Sequence, residues 1–144
     1  MFEKYTEKAR RLIYFARYEV SELGSKSIET EHLLLGLLHE DKALISRFLP
    51  EGVSTETLRA RIEAEIIKGE KIPTAVEVSL SSEAKEVLIS AAEESEDLGH
   101  RHIGTEHLLL GLSRQKDSLA ERILRGNGLD LVTIRQQIKS DMGE

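Results

Sequence analysis

Thr30-Glu-His-Leu-Leu-Leu-Gly-Leu37 recurs unchanged as Thr105-Glu-His-Leu-Leu-Leu-Gly-Leu112, 75 residues further along the chain. A fixed offset marks a duplicated structural unit, and this period is too long for the short solenoid repeats. The correspondence spreads outward from the octapeptide. Ala9 meets Ala84, Ala16 meets Ala91, Glu19 meets Glu94, Leu23-Gly24 meets Leu98-Gly99 and Ile28 meets Ile103. Leu44, Arg47 and Leu49 meet Leu119, Arg122 and Leu124, with no gap from residue 6 to 49. One extra residue in the second copy, around Gly126-Asn127-Gly128, then brings Thr57, Arg59 and Ile62 onto Thr133, Arg135 and Ile138. The 144 residues therefore read as one domain, 1–144, with copy one at 1–68, a linker at 69–80 and copy two at 81–144.

The apolar spacing gives four helices per copy, an all-α fold of eight helices related by an approximate twofold axis. Thr6 can cap a first helix running to about Leu23, with Leu12, Ile13, Ala16, Val20 and Leu23 on one stripe. Thr30 can cap a second, Glu31 to about Leu38, whose five leucines are too many for one wet-faced stripe, so it belongs at the centre. Its glycine allows close approach of a neighbouring helix. A third helix, about Lys42 to Leu49, stops at Pro50, and a fourth begins at Ser54 with Leu58, Ile62, Ile66 and Ile67 turning inward. The second copy repeats the plan as Ser81–Leu98, Thr105–Arg114, Asp117–Arg125 and Asp130–Ser140. The linker contains Pro73 and lacks a helical period, but Ile72, Ala75, Val76 and Val78 suit it to lie packed against the helices.

Composition narrows the function. Lys and Arg number 20 against 26 Asp and Glu, a formal charge of -6, so no global field draws a phosphate backbone or an anionic membrane. The six aromatic residues all precede residue 49, which leaves the second copy without a base-stacking platform. Nucleic acid and membrane are not expected partners. Cysteine is absent, excluding disulfides and thiolate chemistry, and no apolar run approaches a bilayer span, so a cytoplasmic protein is expected. Gly24-Ser-Lys-Ser27 lacks the earlier glycine of a phosphate loop, and neither a nucleophile elbow nor a His-Glu-x-x-His helix occurs. No enzyme, catalytic residue or cofactor is expected.

Two constellations remain. His100, His102, Glu106 and His107 have metal-ligand chemistry, but His100 and His102 face Ser25 and Ser27 in the other copy, and solvated loop histidines are the expected reading, with no metal. Glu31 and Glu106 follow the cap threonine in both copies. A carboxylate there complements the helix dipole, and beside unpaired backbone N–H groups it also offers a guanidinium acceptor next to anion donors.

The doubled unit, a helix, Leu-Gly, then Ile-(Gly/Glu)-Thr-Glu-His-Leu-Leu-Leu-Gly-Leu, resembles the double Clp-N repeat of Clp ATPase unfoldases, and is closest to the ClpC type over essentially the whole chain. The resemblance implies a noncatalytic module that recognises adaptor proteins and protein substrates beside a hexameric AAA+ ring feeding a ClpP-type protease. The isolated domain is expected to be monomeric. An alternative is a freestanding Clp-N accessory or regulatory protein that docks on a Clp protease complex. ClpC-type domains are also similar in offering two phosphoarginine pockets. By position these map to Glu31 and Glu106 for the guanidinium, with Thr6 and Ser81 as phosphate donors. Glu29 departs from the family's glycine, kept here as Gly104, and adds a negative charge two residues from Glu31.

Overall fold

The computed structural model describes residues 2–143, so residues 1 and 144, the outermost ends of the expected domain, lie outside them. Eight helices follow: α1 (Glu7–Leu23), α2 (Thr30–Glu40), α3 (Lys42–Ser46), α4 (Thr55–Glu65), α5 (Ser82–Asp97), α6 (Thr105–Arg114), α7 (Leu119–Gly126) and α8 (Leu131–Gly143). The all-α expectation holds. Thr6 Oγ1 accepts from the Ala9 N–H at 3.1 Å and Ser81 Oγ from the Ala84 N–H at 3.1 Å, so α1 and α5 start on the caps read from the sequence.

The leucine-rich helices α2 and α6 sit at the centre, each pressed on the long helix of its own copy. Leu33, Leu34, Leu35 and Leu37, with Leu108, Leu109, Leu110 and Leu112, are among the largest fully buried side chains. Their glycines set the separation. A Cβ on Gly36 would lie 2.4 Å from the Leu12 carbonyl oxygen, and one on Gly111 would lie 2.4 Å from that of Val87, so neither position has room for a side chain.

The halves are clasped by an exchange of backbone bonds. The Thr6 N–H donates to Ile103 O at 3.0 Å and the Ile103 N–H to Lys4 O at 2.9 Å. At the corresponding positions the Ser81 N–H donates to Ile28 O and the Ile28 N–H to Ser79 O, both at 2.9 Å. The segment entering each long helix is thus held by the other copy, as a twofold relation requires. These are isolated parallel bridges, Tyr5 with Ile103 and Ile28 with Leu80, and no sheet forms among the described residues.

A second element repeated in both copies is an ion pair. Glu19, buried on α1, accepts from Arg59 at 2.8 Å, and Glu94, buried on α5, accepts from Arg135 at 2.7 and 3.1 Å. Glu94 has a further partner in Arg114 at 3.3 Å. Burial raises the Glu94 carboxyl, but the hydrogen bonds and charges of Arg135 and Arg114 outweigh it and hold the group below the usual range.

Several local expectations need correction. Thr30 and Thr105 are the first helical residues rather than caps, and Glu29 and Gly104 hold the cap position. Glu31 and Glu106 are consequently second in their helices. The α-helical part of α3 ends at Ser46; the chain keeps turning through shorter bonds, Phe48 N–H to Ile45 O and Leu49 N–H to Ser46 O, until Pro50. Helix α4 ends at Glu65; Ile66 is extended yet still packs against the core, whereas Ile67 is 96% exposed instead of inward. Helix α7 starts after Ser118, because Asp117 has a left-handed backbone, φ 67°. The connection 69–80 is tied to α1 by the bonds Gly69 N–H to Leu23 O, Ile72 N–H to Ser21 O and Arg17 to Thr74 O. Of its apolar side chains Ile72 and Val78 are half-buried, whereas Ala75 and Val76 stay exposed.

Candidate functional site

Both repeated octapeptides start their helix in the same way. The backbone N–H of Glu29 donates to His32 Nδ1 at 2.8 Å, and that of Gly104 donates to His107 Nδ1 at 2.9 Å. Each imidazole thereby satisfies an amide at the helix start, the task usually given to a Glu or Gln at this position. With Nδ1 accepting, the ring proton resides on Nε2. Burial pushes both histidines down to about 4, so they are neutral at pH 7.

Beyond that shared start the copies diverge. His107 Nε2 lies 2.7 Å from His100 Nδ1, which supplies the acceptor its N–H needs. In the first copy Ser25 stands where His100 would be, and its hydroxyl is turned to Ser27 O at 2.8 Å. His32 Nε2 is left buried with no hydrogen-bond partner.

The glutamates diverge for a backbone reason. Glu106 folds back over Gly104, where a Cβ would be 2.2 Å from Glu106 Oε1. Glu29 has that Cβ, so Glu31 adopts a different position, with Thr30 Oγ1 3.4 Å from its Oε1. Burial raises the Glu31 carboxyl, and the nearby charges of Glu29 and Glu83 push in the same direction. Glu106 instead has His102 Nε2 at 3.8 Å, in a ring stack with His100 at 5.2 Å.

Each glutamate opens on a cavity. The one at Glu106, about 480 Å³, is lined by Asp41, Arg47, His100, His102 and Thr105. The one at Glu31, about 290 Å³, is lined by Ser25, Glu29, His32, Glu65, Ile66 and Ile67. The first lining mixes cations and acids, whereas the second is acidic and contains no Lys or Arg. Thr6 and Ser81 are not among the lining residues of either cavity, but the backbone of each is tied to the other copy. Thr6 is bonded to Ile103, three residues before Glu106, and Ser81 to Ile28, three residues before Glu31. Each hydroxyl caps its own helix, while the backbone N–H of the same residue bonds the segment just before the other copy's octapeptide.

Donor atoms of His100, His102, Glu106 and His107 all lie within 4.8 Å of one another. His107 can ligate only by releasing the Gly104 amide, which leaves His100, His102 and Glu106 as the side chains able to hold a divalent ion. Arg47 and Asp41 belong to the other copy; Thr105 Oγ1 donates to Asp41 at 2.7 Å. Sequence reading missed both, since nothing local ties them to Glu106. The equivalence of Glu19 with Glu94 and of Arg59 with Arg135 was the available signal for the ion pair.

Residues 4–127 match the family described as the Clp repeat (R) N-terminal domain. The whole chain is 40% identical, over 145 aligned positions, to the ATP-dependent Clp protease ATP-binding subunit ClpA homolog of Guillardia theta, and 39% identical to the chloroplastic chaperone protein ClpC of Pisum sativum. It spans only 18% and 16% of those proteins. Among solved structures it is similar to the N-terminal domain of the caseinolytic protease associated chaperone ClpD from Arabidopsis thaliana, with 26% identity, TM-score 0.75 and coverage of 99% of this chain and 96% of that one. The N-domain of ClpV from Vibrio cholerae shares the fold at 17% identity, TM-score 0.75, covering 97% of this chain and 87% of that one.

Proposed function

The chain belongs to the Clp repeat N-terminal domain family, and we propose that it is the noncatalytic substrate- and adaptor-recognition domain of a ClpC-like ATP-dependent unfoldase, serving quality control and regulated proteolysis in the cytoplasm. The observation that carries this reading is the likeness of the entire chain to ClpA- and ClpC-type chaperones. No helix among the described residues is long and apolar enough to cross a membrane. Work on the substrate and contact with a ClpP-type protease belong, in this reading, to the parent protein. The domain tethers its targets, so modest affinity is sufficient when several copies act together.

The finer reading is that the domain holds phosphoarginine-marked proteins. Glu106 would take the guanidinium, with the phosphate reaching the Thr6 hydroxyl, the histidines and Arg47. The mixed lining of that cavity supports the assignment. Glu31 with Ser81 is the corresponding pair in the first copy, and its acidic surroundings oppose a phosphate. In calorimetry with free phosphoarginine, Glu106→Gln is expected to weaken binding about tenfold, the loss of one charge-assisted contact, and Glu31→Gln much less. Undiminished binding by both variants would overturn the site assignment.

A further inference from the structure

The orphaned Nε2 of His32 distinguishes the first copy from the second. His32 is 1% exposed, its Nδ1 is taken by the Glu29 amide, and its Nε2–H has no acceptor. In the second copy the equivalent N–H meets His100, so the orphan points to where Ser25 is too short to reach, beside the cavity that both residues line. A buried donor without an acceptor is destabilising, and an occupant that brings one relieves it. The same cavity presents the carboxylates of Glu29, Glu31 and Glu65.

The occupant must therefore carry a positive charge and, a few bonds away, a hydrogen-bond acceptor. A phosphate would add like charge to three carboxylates. A lysine or arginine side chain brings charge with no acceptor, and a metal ion gains nothing from His32 while Nε2 keeps its proton. A polypeptide amino terminus has both features, an α-ammonium and the first carbonyl oxygen, and about 290 Å³ suits one or two residues. We propose that the Glu31 cavity captures the free amino terminus of a protein substrate, its ammonium held by Glu29, Glu31 and Glu65 and its first carbonyl accepting from His32 Nε2. Ile66 and Ile67, just past α4, form the apolar lip against which the first side chain rests. This inference rests on the reading of the chain as a substrate-recognition domain and is independent of phosphoarginine.

The test titrates the ¹⁵N-labelled chain with an uncharged-side-chain tetrapeptide in two forms, free and N-acetylated, while following the side-chain Nε2–H signals of His32 and His107. Only the free form is expected to bind and to move His32. Glu31→Gln, and separately Glu29→Gly, are each expected to weaken it about tenfold. Glu29→Gly keeps the fold, because the second copy already starts its helix at Gly104. Equal binding of the acetylated peptide, a response at His107 alone, or unchanged affinity in both variants would each overturn the inference. A chain that binds a denatured, amino-terminally blocked protein yet ignores the free peptide overturns this inference alone; one that binds neither overturns the recognition reading as well.

Discussion

The two copies are mechanically alike and chemically different. Both pack a leucine helix onto a long helix through a glycine, both neutralise a buried glutamate with an arginine from their last helix, and both start the central helix on an imidazole. Two of the positions at which they part, Ser25 against His100 and Glu29 against Gly104, decide whether the buried N–H has an acceptor and where the glutamate can lie. Duplication here kept these contacts between helices and changed residues at the mouth of the cavity. Divergence at a helix start costs little packing, so specificity can differ between halves of one scaffold.

The largest expected effect probes the likeness. His32 and His107 are both lowered from 6.5 to about 4 in the fold, so an unfolded chain takes up protons below about pH 6.5 that the folded chain refuses. Stability contributed by their neutrality is complete above pH 6.5 and is lost as pH falls toward 4. At pH 5 each should cost about 2 kcal/mol, from 1.36 kcal/mol per unit, read as a falling urea midpoint. His32→Gln and His107→Gln should each remove about half of that slope; a slope unchanged in both would break the parallel.

Next in size, Gly36→Ala and Gly111→Ala should each destabilise by about 3 kcal/mol, since the added methyl meets a backbone carbonyl that cannot move aside. A difference of more than about 1 kcal/mol between them in denaturant unfolding would show that one copy is the looser.

The smallest effect sharpens a contrast. Arg59→Ala leaves Glu19 without another cation among the described residues, whereas after Arg135→Ala Arg114 still faces Glu94. Because these arginines are about a third exposed, the losses should be about 2 and about 1 kcal/mol, in that order. The reverse order in chemical denaturation would refute the role given to Arg114.

Much of this is legible in the sequence. The doubled octapeptide dictated eight helices, and Thr6 and Ser81 announced the starts of α1 and α5 because a cap is a local interaction over three residues. Thr30 and Thr105 misled for the same reason: they have cap chemistry, but an imidazole three residues past Glu29 and Gly104 does the capping, a role sequence rules assign to Glu or Gln. The site glutamates could be picked out by position. Their surroundings could not, because Arg47, Asp41 and the crosswise backbone bonds of Thr6 and Ser81 depend on contacts between residues about 50 to 100 positions apart.

The clasps at Lys4–Thr6 and Ser79–Ser81 make each half incomplete without its twin. A chain nicked between Lys71 and Glu77 should therefore stay associated and keep its helices under native conditions. A half produced by itself has an unfilled clasp that only a second copy of the same half can fill, so it should pair into a homodimer, rebuilding the architecture from two identical pieces.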